Sequence, residues 1–431
     1  MEFNPVVISV ISLCVLCLFR VNVLFSLMIS AIIAGFLADM PIDNIMNLFI
    51  SGMGQNSETA LSYILLGALA AAMTHTGLTK VLSIKIAGFI KGNKYLLIGI
   101  LVIISLMSQN LIPVHIAFIP ILIPPLLTLM NQLKIDRRAI ACALAFGLKA
   151  PYIALPLGFG LIFQGLIADN MTQNGVTVLK TEIWHYSWIL GLAMFVALLI
   201  AIFITYRKSR EYEIKDEVIF NLEEAKFNKK HCITLLGAVI TLAVQLISGS
   251  LPLGALIGLC VIFGFRAVPH KKMDFLMNEG VGLMGYIAFV MLVCAGYALV
   301  LKETGGIESL VNYILPYIEH SKIFASCAIL FIGLLITIGI GSSFGTIPIL
   351  AVLFVPLCVK LGFTTPAIII LMCAAAALGD AGSPASDTTL GPTAGLNADN
   401  QHNHIKDTCI PTFLHFNIAL IVAALIVVCF I

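Results

Sequence analysis

Apolar residues run along this chain in blocks too long to be one face of a soluble helix, and polar residues fall mainly between the blocks. Stretches at 5–19, 22–38, 58–76, 139–163 and 185–205 have the character of membrane spans, since about 20 apolar residues of helix match a hydrocarbon core of about 30 Å. A longer stretch, 95–133, exceeds one span and is interrupted by Ser108, Gln109, Asn110, Pro113 and His115. It reads as a helical hairpin that enters the membrane and turns back. After a hydrophilic linker, 206–230, the same order of segments returns.

Displacing the chain on itself by 228 residues lays 3–203 on 231–431 without a gap. Gly52 falls on Gly280, Gly54 on Gly282, Thr76 and Gly77 on Thr304 and Gly305, Pro120 on Pro348 and Pro156 on Pro384. The pattern predicts an all-α, polytopic membrane protein of two halves, 1–205 and 231–431, each with five transmembrane helices and one re-entrant hairpin. An odd number of crossings turns the second half upside down, which is an inverted repeat.

Composition supports this picture, because 60% of the residues are hydrophobic and only 11% charged, outside the range of a soluble domain. A net charge of +2 gives no basic surface for nucleic acid. The eleven cysteines are scattered through apolar spans and read as small buried hydrophobes. Residues 1–19 lack the basic start and cleavage site of a signal peptide and read as the first span. With the N-terminus outside, all 24 Lys and Arg except Lys149, Lys180, Lys302, Lys322 and Lys360 face the cytoplasm. The positive-inside rule therefore places the linker 206–230 on the cytoplasmic side of an inner membrane.

Against that background the segment 374–396, AAAALGDAGSPASDTTLGPTAGL, stands apart. Asp380 and Asp387 are carboxylates at bilayer depth, where ionisable groups are expensive and mark ion or substrate paths. Gly379, Gly382 and Pro384 oppose helix, so the helix breaks here and frees polar backbone near the two acids. The hairpin tips, Ser108-Gln109-Asn110 in the first half and the run from Gly341 through Ser342, Ser343, Phe344 and Gly345 to Thr346 in the second, offer further hydroxyl and amide groups.

In the repeat, Tyr152 stands where Asp380 does and Phe159 where Asp387 does, so the acid pair occurs once. Lys149 falls on Ala377 and is the candidate proton-coupling group. Glu58, Lys302 and Glu303 read as interfacial, and His75 and His115 as packed or water-lining. His402 and His404 in NADNQHNHIKD lack a third ligand, so a polar loop is expected there. No phosphate-binding loop or H-E-x-x-H sequence occurs, no cofactor is called for, and no nucleophile and base set for an intramembrane enzyme stands out.

The run Gly379-Asp380-Ala381-Gly382-Ser383-Pro384-Ala385-Ser386-Asp387-Thr388-Thr389 resembles the GD-x-x-SP-x-SDTT motif of NhaC-type Na⁺/H⁺ antiporters, in the ion transporter superfamily. That resemblance implies a scaffold domain, a mobile transport domain with hairpins and broken helices, elevator-like alternating access and homodimers. Position by position it nominates Asp380, Ser383, Ser386, Asp387 and Thr388 for the ion or substrate site, with Na⁺ at Asp380 and Asp387. Similar branches include proteins regarded as amino-acid permeases, with histidine among the suggested substrates. The expectation is a cation-coupled secondary transporter exchanging Na⁺ for H⁺, with a Na⁺- or H⁺-coupled amino-acid permease as the alternative. A passive channel fits the single asymmetric acid pair less well.

Overall fold

The computed structural model describes residues 4–19, 21–78, 81, 93–110, 119, 123, 126–127, 129–213, 226–306, 309–310, 321–340, 342–384 and 386–431. Among these every regular element is helical. The first half supplies α1 (Pro5–Leu18), α2 (Val23–Leu37), α3 (Ile42–Met53), α4 (Ser57–His75), α5 (Lys94–Asn110), α6 (Arg137–Ala154), α7 (Phe159–Gln173) and α8 (Lys180–Thr205). The second supplies α9 (Lys229–Ser248), α10 (Leu251–Gly264), α11 (Met273–Glu303), α12 (Lys322–Ile340), α13 (Ser343–Lys360), α14 (Thr365–Ala377), α15 (Asp387–Leu396) and α16 (His404–Phe430). Helices α5, α6 and α7 start at Lys94, Arg137 and Phe159, each 228 residues before the starts of α12, α14 and α15.

Among the described residues six helices, α4, α8, α9, α13, α16 and the Met284–Glu303 part of α11, are long and apolar enough to cross a bilayer. Helices α6 and α7 together make a seventh candidate span, bent by 49°. The expected single span at 139–163 is thus two helices, because Pro156 and Gly158 sit in a gap where Gly158 adopts φ 56°, a left-handed value that suits glycine. Helix α14, with 13 residues, rises only about 20 Å and stops short of a full crossing. The chain leaves the helix there and becomes helical again at α15. Most of the expected hairpin at 95–133 beyond α5 lies outside the described residues. In the second half α12 and α13 are separate helices on either side of Gly341 and Ser342.

The helices pack in two groups. Helix α11 lies against α2, α3 and α4, and α10 joins α4 to α9. The other group assembles around α6, which touches α5, α7, α8 and α15, and around α14, which touches α12, α13 and α16. Contacts of α11 with α13 and of α1 with α12 join the groups. Within the first group α4 and α11 approach most closely at Gly67 and Gly280. A Cβ on Gly280 would lie 2.4 Å from the Ala68 nitrogen, and one on Gly67 2.5 Å from the Gly280 carbonyl. Small residues let transmembrane helices close to backbone contact, which is where their packing energy comes from.

Near the linker end, buried Arg137 at the start of α6 pairs with Asp399 and donates to the Leu396 carbonyl at 2.8 Å. The segment 206–213 lies across this end. Tyr212 places its ring 4.3 Å from the Arg137 guanidinium and its hydroxyl accepts from the Arg137 amide at 3.1 Å, while Arg210 pairs with Asp407 at 2.8 Å. Partial burial works to raise the Asp399 carboxyl, but the hydrogen bond and charge of Arg137 outweigh it and hold the group below its ordinary range.

The close crossing gives a direct check. Gly280→Val is expected to force α4 and α11 apart and cost at least about 1–3 kcal/mol, read as a lower midpoint of thermal unfolding in detergent. Gly99→Ala, where a Cβ meets nothing within 4 Å, is expected to leave that midpoint unchanged.

Candidate functional site

Helix α14 ends at Ala377 because the next residues cannot continue it. Gly379 has φ 82° and Gly382 φ 104°. Both also face close neighbours: a Cβ on Gly379 would lie 2.7 Å from the Ile338 nitrogen, and one on Gly382 2.5 Å from Phe413 Cβ. Asn417 of α16 pins the exposed backbone, its Nδ2 donating to the Ala381 carbonyl at 3.1 Å and its Oδ1 accepting from the Gly379 amide at 3.4 Å. Ser386 then caps α15, its Oγ accepting from the Thr388 amide at 3.2 Å.

Inside this break the Asp380 carboxylate is buried, with 5% of its surface exposed. Four hydroxyl groups surround it. On Oδ2, the Tyr152 hydroxyl and the Ser343 hydroxyl each donate at 2.9 Å, and these two hydroxyls lie 3.0 Å from one another. On Oδ1, Ser386 donates a short hydrogen bond and Thr388 Oγ1 lies at 3.3 Å, 2.9 Å from Ser386 Oγ. Ser343 opens α13 and Thr388 lies in the first turn of α15, so two helix N-termini flank the carboxylate. Their partial positive charge stabilises an anion there by about 0.3–1 kcal/mol each.

Lys149, fully buried on α6, donates a short hydrogen bond from Nζ to the Ala377 carbonyl, the last residue of α14. That helix end carries partial negative charge, so a cation belongs there. The two cross-connections, Lys149 to Ala377 and Tyr152 to Asp380, each join residues 228 apart.

The expected residues therefore divide. Asp380, Ser386, Thr388 and Ser343 come together. Ser342 caps α13 through the Gly345 amide at 3.3 Å. Ser383 Oγ donates to the Ile338 carbonyl at 3.1 Å, and Thr346 Oγ1 to the Ser343 carbonyl at 2.9 Å, so both bind backbone beside the cage. Ser108 likewise donates to the Ser105 carbonyl at 3.0 Å, within α5. Gln109 is buried, with Oε1 lacking a hydrogen-bond partner among the described residues. Asp387 is the first residue of α15, and Asn110 the last of α5; their side chains lie outside the description.

Tyr152 is the site residue that inspection of the motif missed. The signal for it was its register with Asp380. His402 and His404 do not converge as a metal pair: His402 Nε2 lies 2.7 Å from Thr408 Oγ1, and His404 donates from Nε2 to the Pro384 carbonyl at 3.0 Å. Among the described residues no cluster of three or more His, Cys, Asp or Glu is placed to hold a metal.

A carboxylate ringed by hydroxyls has two uses. With the O–H groups turned inward it is a hydrogen-bonded anion; with them turned away, the same oxygens and the carboxylate present lone pairs to a hard cation or leave room for a proton. A bundle of apolar helices with such a group at the meeting of two helix breaks has the build of a polytopic secondary transporter. The comparisons agree. The Na⁺/H⁺ antiporter family matches residues 143–428, and a second description, Na⁺-H⁺ antiporter family, matches 4–90.

The chain belongs to the Na⁺/H⁺ antiporter family. It is 46% identical to an uncharacterized membrane protein of Vibrio parahaemolyticus, over 97% of this chain and 98% of that one. It is also 46% identical to YuiF of Bacillus subtilis, described as a putative amino acid transporter, over 97% and 98% of the two chains. In fold it is similar to the YdaH transporter of Alcanivorax borkumensis, with TM-score 0.62, 13% identity and coverage of 99% and 98%. It is also similar to MtrF of Neisseria gonorrhoeae, with TM-score 0.58, 14% identity and coverage of 89% and 84%.

Two outcomes follow from this geometry. Tyr152→Phe removes one hydroxyl from a charged acceptor, a loss of about 1.5–3 kcal/mol, and is expected to lower the midpoint of thermal unfolding measured in detergent at neutral pH. Burial pushes His402 down from 6.5 to about 4, so the unfolded chain takes up that proton first as pH falls. Stability is therefore expected to drop between pH 6.5 and 4, and His402→Gln to flatten the drop in thermal-unfolding midpoints measured across that window.

Proposed function

We propose that this secondary transporter exchanges Na⁺ for H⁺ at Asp380, with Ser343, Ser386, Thr388 and Tyr152 supplying the surrounding oxygens. The observation that carries the reading is the buried carboxylate held by four hydroxyls between two helix N-termini. One proton or one sodium ion neutralises Asp380, so the two compete there. Lys149, on the neighbouring helix end, is the group whose protonation adjusts that competition. Asp387, first in α15, is a second carboxylate of the same site, and Gln109 a polar contributor from the first hairpin.

In this reading residues 1–205 and 231–431 form inverted repeats about an axis beside Asp380, joined by the cytoplasmic linker 206–230. The matching helix starts and the two 228-residue cross-connections support it. The group around α6 and α14 is the moving transport domain, and the group around α11 the scaffold, giving elevator-like alternating access in a homodimer in the inner membrane.

A second reading, cation-coupled amino-acid transport, is favoured by one feature. A buried ammonium at Lys149 and a buried carboxylate at Asp380 flank one break, a charge pattern complementary to a zwitterion. The description of the Bacillus subtilis relative as a putative amino acid transporter supports it.

Purified protein in liposomes holding a pH-sensitive dye tests both. Exchange predicts an internal pH change on adding Na⁺ with no organic solute present, abolished in Asp380→Asn. Uptake of labelled amino acids that needs an ion gradient, without Na⁺-driven pH change in their absence, replaces exchange with the second reading. Neither signal refutes both.

A further inference from the structure

Phe344 follows Ser343 at the start of α13 and is almost fully buried. Its ring sits 5.0 Å from that of Tyr152, 5.7 Å from Phe159 at 87°, 5.7 Å from Phe163 at 82° and 6.2 Å from Tyr63 at 87°. Tyr63 and Phe159 also meet edge to face at 5.3 Å. Edge-to-face pairs are directional, so this box fixes the position of Phe344 as well as burying it.

The box has two properties that ordinary core packing does not require. Two of its neighbours by chain or by contact, Ser343 and Tyr152, are the residues that hold Asp380 Oδ2. And it is built across the boundary of the two packing groups: Tyr63 comes from α4, Tyr152, Phe159 and Phe163 from α6 and α7, and Phe344 from α13.

We propose that Phe344 is the gate of the Asp380 centre. Seated in the box, it holds its chain neighbour Ser343 against Oδ2. Withdrawal of the α13 N-terminus takes Phe344 out of the box, removes the Ser343 hydroxyl from Asp380 and parts the ring contact with Tyr63. Opening the site, loosening its ion and freeing one helix group from the other are then a single movement. Phe344 acts as a positioning residue, touching the ion only through Ser343 and Tyr152. The inference rests on the assignment of Asp380 as the ion site.

The test uses the full chain in tight liposomes with an imposed membrane potential and an internal pH dye. Uncoupled proton entry and the Na⁺ concentration for half-maximal exchange are measured for the parent, Phe344→Ala, Phe344→Tyr and the double variant Phe344→Ala/Asp380→Asn. The gate predicts that Phe344→Ala raises uncoupled entry at least tenfold and weakens Na⁺ dependence. It predicts that Phe344→Tyr, which keeps the ring, behaves as the parent, and that the double variant loses the leak because the path runs through Asp380. Thermal-unfolding midpoints identify loss of fold. If Phe344→Ala does not fold, Phe344→Leu, which keeps bulk without a ring, takes its place with the same expectations. A parent-like leak and Na⁺ dependence in the ring-less variant overturns the gate, as does a leak that persists in the double variant. A parent protein with no Na⁺-driven signal overturns the Na⁺/H⁺ exchange reading on which the inference rests, so the two failures are distinguishable.

Discussion

A carboxylate inside a membrane protein has to be satisfied where it stands, since water is not there to do it, and an unpaired buried charge costs several kcal/mol. The hydrogen bonds to Asp380 are how this chain meets that requirement, and much of the fold arranges them. Ser386 and Thr388 reach the carboxylate because α14 stops at Ala377 and α15 starts at Asp387. Ser343 reaches it because α13 begins there. Tyr152 reaches it from the other half of the chain, across the point where α6 and the α14 break meet. Moving any one of these helix ends changes the stabilisation of one charge, which makes the carboxylate a sensitive meeting point for several elements.

The opposite charge is handled by the same physics with the sign reversed. Lys149 is placed at the C-terminal end of α14, and Asp380 between the N-terminal ends of α13 and α15, so helix breaks supply partial charges that suit each group. The breaks are therefore the means by which an apolar bundle tolerates two ionisable groups. Glycines with positive φ at 379 and 382 let the chain leave the helix, and Asn417 holds the backbone that the break exposes.

Much of this was legible in the sequence because it follows from residue type. Apolar length locates the spans, the density of Gly and Pro locates the break after Ala377, and acids in an apolar segment nominate the candidate site. Register at 228 residues sets Lys149 on Ala377 and led to the expectation of an ammonium near the acids; the structure gives its hydrogen bond to the Ala377 carbonyl. What was hidden depends on contacts. Tyr152 read as an absence, the repeat's replacement for an acid, when it is a partner of that acid. Asn417, in a mostly apolar helix, carries no motif. Phe344 read as one more member of a hairpin tip, since nothing local shows that Tyr63 and Phe159 surround it. Ser383 and Thr346 are of the right type in the right stretch, and their hydroxyls donate to the Ile338 and Ser343 carbonyls, partners that the motif does not show. Helix α3 was overlooked because Asp43, Asn44 and Asn47 interrupt its apolar pattern.

The central claim is that Asp380 is the group that takes up the transported cation. Infrared difference spectroscopy of the purified protein, recorded on adding Na⁺ at constant pH, observes carboxylates directly. The account predicts a carboxylate stretching change that disappears in Asp380→Asn while the rest of the spectrum shows an intact helical protein. An unchanged Na⁺-induced carboxylate signal in that variant would contradict it.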